Sequence, residues 1–172
     1  MAAENWKACL DFVLTKEGGL VDDPRDNGGR TAYGVTQASY NTWRARRGLP
    51  KQDVFKITRQ EIEAVYRTYW TPIEGDVLPS GVDLMIFDAS INSGPRRAVR
   101  FLQRAVGVVQ DGDLGPKTLA ALRTFKPASV VEVLRMIRGE FYRSLDDFDH
   151  FGKGWMNRLA SVYSRAMEMV GK

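Results

Sequence analysis

The stretch EGGLVDDPRDNGGRTAYGVT, residues 17–36, comes directly after the pattern of an amphipathic helix. The apolar residues upstream recur at the spacing of one helix face: Trp6, Cys9, Leu10, Val13 and Leu14. Glu17 takes the next position on that face. Gly18 and Gly19 predict that the helix ends there, because glycine readily adopts a positive φ.

The remainder of this stretch predicts a loop followed by a short β-hairpin. It is rich in glycine, aspartate, asparagine and proline, and Thr31, Tyr33 and Val35 then alternate with smaller residues, as in a strand. The most favourable hairpin turn lies near Asn27 and Gly28.

Glu17 is a candidate general acid. It sits at the C-terminal, negative end of the helix dipole, and its place on an apolar face removes water. Both effects favour the protonated carboxyl, and a carboxyl that stays protonated near neutral pH can donate a proton in catalysis. The alternative is an ordinary, partly solvated glutamate at a helix end.

Asp26 is the candidate second carboxylate. Glycoside hydrolysis needs an acid on the leaving oxygen and a carboxylate on the opposite face of the sugar. A loop leaving the end of the Glu17 helix can bring Asp26 to that position, where Thr31 could hold the same water molecule. Alternatively, the loop aspartates are turn formers. A calcium loop is disfavoured, because Arg25 occupies a position where a ligand is needed.

The same stretch resembles the signature segment of glycoside hydrolase family 108, phage and bacterial N-acetylmuramidases that cut the glycan strands of peptidoglycan. The resemblance implies that Glu17 is the catalytic acid. The spacing is also similar to that of phage-type lysozymes, which implies that Asp26 and Thr31 serve the water. In this chain Asp26 follows Glu17 by nine positions and Thr31 follows Asp26 by five, one fewer than in the phage-type pattern. Tyr33 is a candidate sugar contact, because an aromatic face can pack on a pyranose.

The rest of the chain predicts helices and no further β-structure. Thr58 and Glu61 form a capping box before one of them. The predicted helices span residues 39–47, 58–70, 82–92, 96–106, 116–125, 129–145 and 155–170. With the resemblance, this pattern implies a mostly α, lysozyme-like fold with one small β-hairpin after the catalytic helix.

The second half resembles a predicted peptidoglycan-binding region. The matching elements are FDASINSG and the pattern Leu102-Gln103, Asp111-Gly112, Leu114-Gly115-Pro116, Thr118. We therefore expect a muramidase region over 1–93 and a wall-binding-like region over 94–172, packed as one unit. Asn92 and Asp88 lie one helical turn apart and are candidate substrate contacts. Alternatively, Asn92 caps a helix before Gly94 and Asp88 satisfies a buried backbone group.

Composition limits the partners and cofactors. A formal net charge of +4 favours an anionic partner, and the single cysteine excludes an intrachain disulfide. His150 is the sole histidine, so no metal site and no cofactor are expected. The N-terminus has no signal-peptide pattern and no apolar stretch is long enough to span a membrane. We expect a monomer made in the bacterial cytoplasm that acts in the periplasm on the cell wall, and the resemblance implies release by a holin.

The predicted function is that of an endolysin or lysozyme, which hydrolyses the β-1,4 bond between N-acetylmuramic acid and N-acetylglucosamine. Three alternatives remain: a lytic transglycosylase acting on the same bond, a non-catalytic wall-binding protein, and a DNA-binding helix-turn-helix. The last is disfavoured, because its recognition helix would offer base edges only Lys117 and Arg123.

Overall fold

The structure, a computed structural model, describes residues 2–22 and 29–171. Within this part the chain forms eight α-helices and three short β-strands. The helices are α1 (Ala2–Glu17), α2 (Gln37–Ala45), α3 (Arg59–Trp70), α4 (Val82–Ser93), α5 (Pro95–Ala105), α6 (Pro116–Leu122), α7 (Pro127–Arg143) and α8 (Phe148–Val170). The strands are β1 (Leu20–Val21), β2 (Thr31–Ala32) and β3 (Val35–Thr36). The predicted mostly α fold with a small β-structure after the first helix is confirmed.

The sheet contains one strand more than the predicted hairpin. Its order is β1-β2-β3 and both pairings are antiparallel. Tyr33 and Gly34 form a two-residue turn between β2 and β3, with φ values of 51° and 78°. The alternating pattern therefore contains a tight turn where the sequence suggested a continuous strand. The turn predicted near Asn27 and Gly28 lies outside the described residues.

The described residues form two compact units: one lies within residues 10–68, and the other consists of residues 2–9 together with 69–171. The division falls within α1 and within α3. The functional division at residue 93 stays a prediction.

In the unit of residues 10–68, a polar network joins α2 to the start of α3. Thr58 and Glu61 exchange backbone-to-side-chain hydrogen bonds of 3.0 and 3.2 Å, which confirms the capping box. The Glu61 carboxylate also accepts from Arg44 at 2.7 Å and from the Tyr40 hydroxyl at 2.8 Å. One carboxylate thus caps α3 and anchors α2.

In the other unit, α4 is the central helix. Every residue of Val82–Ser90 is buried, and α4 packs against α5, α7 and α8. A helix that is mostly apolar on all sides has to be enclosed by other elements. Trp70 is buried as part of an aromatic cluster, with its ring centroid 5.2 Å from those of Trp6 and Phe87.

The turn between α5 and α6 is organised by the buried side chain of Gln103. Its Nε2 donates to Asp111 Oδ1 at 2.6 Å and to Thr118 Oγ1 at 3.3 Å, and its Oε1 accepts from the Gly112 amide at 2.9 Å. Gly112 has a φ of 83°, and a β-carbon there would lie 3.0 Å from the Arg96 carbonyl. These residues of the second-half motif therefore form one structural network.

The last helix begins earlier than its sequence pattern indicates. It starts at Phe148, whereas the pattern predicted a start at Trp155. The Phe148 ring packs over Gly152, where a β-carbon would lie 2.5 Å from the ring. Gly152 is thus the position that accommodates an aromatic ring from the preceding turn.

Candidate active site

Glu17 is the last residue of α1, and Gly18 after it has a φ of 75°. The predicted helix end is confirmed. The apolar stripe that leads to Glu17 is buried at its first four positions. Glu17 itself is half-buried, and its Oε1 is inaccessible to solvent. The carboxyl group therefore lies at the border between a packed helix face and water.

Gly34 lies directly against the Glu17 side chain. A β-carbon on Gly34 would lie 2.9 Å from both Cβ and Cγ of Glu17, and 2.6 Å from the Tyr66 hydroxyl oxygen. Tyr66 donates a hydrogen bond of 2.8 Å to the Tyr33 carbonyl, and the Tyr33 amide donates to the Gly19 carbonyl at 3.1 Å. The turn between β2 and β3 is thus fixed against the end of α1.

A groove of about 590 Å³ opens beside the end of α1. Its lining residues come from α1 and the two glycines after it, from the turn at Tyr33, and from the segment around the start of α3: Asp11, Leu14, Thr15, Gly18, Gly19, Tyr33, Ile57, Arg59 and Ile62. The Tyr33 residue is 38% exposed. Arg59 is held by Asp11 at 2.6 Å and by Glu63 at 3.0 Å. An apolar floor, an exposed aromatic ring and oriented polar groups suit a ligand with both apolar and hydroxyl faces.

Asp26 lies outside the described residues, but the residues on either side of its loop are well connected. Arg30 makes ion pairs with Asp22 at 3.2 Å and with Asp53 at 3.0 Å, and its guanidinium lies 4.0 Å from the centroid of the Phe55 ring. One arginine therefore joins Asp22, at the end of β1, to Asp53, in the segment before α3.

Thr31 and Tyr33 fall in the same compact unit as Glu17. Thr31 is half-buried on β2, opposite Val21 and Thr36, and its hydroxyl donates to the Gly29 carbonyl at 3.1 Å. Of the predicted residues in this unit, Tyr33 lines the groove, and Glu17 lies beside the turn that Tyr33 begins.

Asp88 and Asn92 lie in the other unit, on successive turns of α4. Asp88 is fully buried and forms ion pairs with Arg138, which is also fully buried, and with Arg158 at 2.8 Å. Burial by itself would lower the pKa of Arg138, but Asp88 and the Tyr142 hydroxyl outweigh it and raise that pKa. Asp88 is thus the anionic centre of a buried network that the sequence did not reveal.

Asn92 is exposed near the C-terminal end of α4. Its Nδ2 donates to the Asp88 carbonyl at 2.8 Å. The side chain is therefore oriented by its own helix, one turn back, while it stays at the surface. The sequence offered one hint of the two arginines that pair with Asp88. A charged residue within a largely apolar helix needs a buried partner.

No group of three or more histidine, cysteine, aspartate or glutamate side chains that could hold a metal ion occurs in residues 2–22 and 29–171. Over the same residues, no helix is long and apolar enough to cross a membrane.

Comparisons with known proteins agree with these features. Residues 10–94 match the family model described as glycosyl hydrolase 108, and residues 97–160 match the model described as a predicted peptidoglycan domain. No curated protein matches the chain significantly. Among solved structures, SagA of Brucella abortus is similar, with a TM-score of 0.87 and 39% identity over 99% of this chain and 98% of that one. The predicted family resemblance is therefore confirmed, and the chain belongs to the glycosyl hydrolase 108 family.

Proposed function

We propose that the protein is an N-acetylmuramidase that hydrolyses the β-1,4 bond between N-acetylmuramic acid and N-acetylglucosamine in peptidoglycan. The family supports a glycoside hydrolase that acts on peptidoglycan. The observation that carries the finer assignment is the position of Glu17, a half-buried carboxyl at a helix end, held beside a groove with an exposed aromatic wall.

Glu17 is the general acid in this proposal. It donates its proton to the glycosidic oxygen as the bond to C1 of muramic acid breaks. Asp26, with Thr31, stabilises the oxocarbenium-like state or orients a water molecule. The water adds its hydroxyl to C1, and its second proton passes to a carboxylate, so the glycan gains one water in total.

Tyr33 and Asn92 are the proposed sugar contacts. Tyr33 offers an exposed ring face beside the groove, and Asn92 offers an amide at the surface. Asp88, being fully buried, would act through the residues it holds: its carbonyl orients Asn92 and its carboxylate orients Arg158.

The broader role follows from the same proposal. The two family matches support a muramidase region over 1–93 and a wall-binding region over 94–172. We further propose that the protein works as a monomer on the periplasmic side of the wall. A role as a phage endolysin released through a holin for host-cell lysis is the form that the family resemblance favours.

The test is to digest purified peptidoglycan in water enriched in oxygen-18 and to analyse the soluble products by mass spectrometry. Hydrolysis should leave reducing muramic acid with one heavy oxygen per cut. Products that end in a 1,6-anhydro ring without heavy oxygen would instead identify a lytic transglycosylase. No soluble product would favour a non-catalytic wall-binding protein.

A further inference from the structure

A small cavity in the second half has a composition unlike that of the groove beside Glu17. It has a volume of about 220 Å³ and lies near the C-terminal end of α4. The residues that matter for its chemistry come from α4, α5, α7 and α8: Asn92, Arg97, Phe141, Tyr142, Trp155 and Arg158. Sites for drug-sized ligands usually have volumes of about 300–1,000 Å³, so this one suits a single amino-acid-sized group.

Three aromatic rings form one wall of the cavity. The Tyr142 ring lies 5.9 Å from the Phe141 ring and 5.9 Å from the Trp155 ring, centroid to centroid. Trp155 is half-buried and also stacks on Phe151. A wall of connected rings offers a rigid apolar surface to a small methyl-bearing group.

Two arginines supply positive charge at the same cavity. Arg158 is oriented by the buried Asp88 at 2.8 Å and keeps a side-chain exposure of 20%. Arg97 is exposed on the first turn of α5, with its guanidinium 4.7 Å from the Phe141 ring centroid. Within the described part of the chain, no carboxylate lies at ion-pair distance from Arg97. Arginine binds carboxylates through two parallel hydrogen bonds, so Arg97 favours a carboxylate ligand, while Arg158 is already paired with Asp88.

We propose that this cavity binds a carboxylate-bearing residue of the peptide stem of peptidoglycan, with the carboxylate on Arg97 and the methyl group on the aromatic wall. The choice of peptidoglycan rests on the proposed function; the choice of stem over sugar rests on the cavity itself. The cavity is small, and a stem carboxylate would pair with the guanidinium of Arg97, whereas a neutral sugar brings no charge to it.

The proposal can be tested with wild-type protein and a ligand that contains no glycosidic bond. The ligand is an N-acetylated tripeptide that ends in D-alanine. It is titrated into the protein while the indole resonance of Trp155 is followed by NMR. That resonance is assigned by its absence from the spectrum of a Trp155→Phe variant. We expect a saturable shift of that resonance. The same peptide with a C-terminal amide should bind at least about tenfold more weakly, the ratio that one charge-assisted hydrogen bond provides.

Arg97→Gln should weaken binding of the free-carboxylate peptide about tenfold, and Arg97→Lys should weaken it less, because lysine keeps the charge but loses the planar fork. Arg123→Gln is the matched control: an exposed arginine on the same half, at the end of α6, with the same loss of charge. It should leave the affinity unchanged.

Three results would overturn the proposal. They are equal binding of acid and amide, a loss of binding in the Arg123→Gln control as large as in Arg97→Gln, and a Trp155 shift that appears with a neutral chitooligosaccharide but not with the peptide. Since no bond is cut in this experiment, each of them leaves the proposed glycan hydrolysis untouched, and failed glycan cleavage would leave the peptide result untouched.

Discussion

Replacing Gly34 by alanine should destabilise the protein and displace the Glu17 side chain. Two costs add at this position. The φ of 78° places alanine in the left-handed region, which costs about 1–2 kcal/mol. The new methyl group would also lie 2.6 Å from the Tyr66 hydroxyl and 2.9 Å from two carbons of Glu17, and overpacking of this kind costs about 1–3 kcal/mol.

The expected loss in the free energy of unfolding is therefore about 2–5 kcal/mol, measured by urea denaturation. Gly48→Ala is the matched control. Gly48 has a similar φ of 67° in the same compact unit, but no atom lies within 4 Å of its added β-carbon. It should lose only the backbone cost, about 1–2 kcal/mol. The difference between the two variants isolates the contact with Glu17 and Tyr66.

If Glu17 is the general acid, as proposed, glycan cleavage by the folded fraction of Gly34→Ala should fall at least about tenfold, because a displacement of the acid by a fraction of an ångström weakens proton transfer. Gly48→Ala should keep wild-type cleavage. Equal stability losses in the two variants would refute the packing argument, and full cleavage by Gly34→Ala would refute the link between Gly34 and Glu17.

Three further perturbations probe the compact unit that contains α4. Asp88→Asn leaves Arg138 without its buried counter-charge and should lower the free energy of unfolding by about 3–5 kcal/mol. The control Asp113→Asn breaks an exposed ion pair and should change that free energy by at most about 1 kcal/mol. Equal effects of the two substitutions would contradict the buried network. Burial raises the pKa of Asp83 from 3.8 to about 6, although amides of Leu84, Gly81 and Asn5 donate to its carboxylate. The folded state therefore holds this proton more tightly than the unfolded state, so its contribution to stability is full below pH 3.8 and is lost as the pH rises to about 6. The difference in the free energy of unfolding between wild type and Asp83→Asn should decline over this pH range. A difference that does not change with pH would contradict the prediction. Burial also raises the pKa of the Cys9 thiol, so a disulfide reagent at pH 8 should label the protein only after unfolding, and native labelling at the unfolded rate would contradict the packing of α1.

Features that depend on near neighbours in the sequence could be predicted. The end of α1 at Glu17 follows from an apolar repeat and Gly18, and the start of α3 follows from the Thr58–Glu61 capping box. Both signals lie in or next to the element that they predict, so no knowledge of the tertiary structure was needed.

Features that depend on residues far away in the sequence could not be predicted. Arg138 and Arg158 follow Asp88 by 50 and 70 positions, and nothing in the local pattern selects them from the other arginines. The turn at Tyr33 and Gly34 was hidden by an alternation that also fits a strand. The position of this turn depends on the close approach of Gly34 to Glu17, which is a tertiary contact.

The most direct test of the account is glycan cleavage by Glu17→Gln. Glutamine is close to glutamate in size but cannot donate the proton that the leaving oxygen needs. The variant should keep the wild-type free energy of unfolding, measured by urea denaturation, to within about 1 kcal/mol and lose nearly all release of soluble fragments from purified peptidoglycan. Glu168→Gln, at an exposed position of α8, should keep wild-type release. Undiminished release by a folded Glu17→Gln protein would contradict the central claim that Glu17 is the general acid.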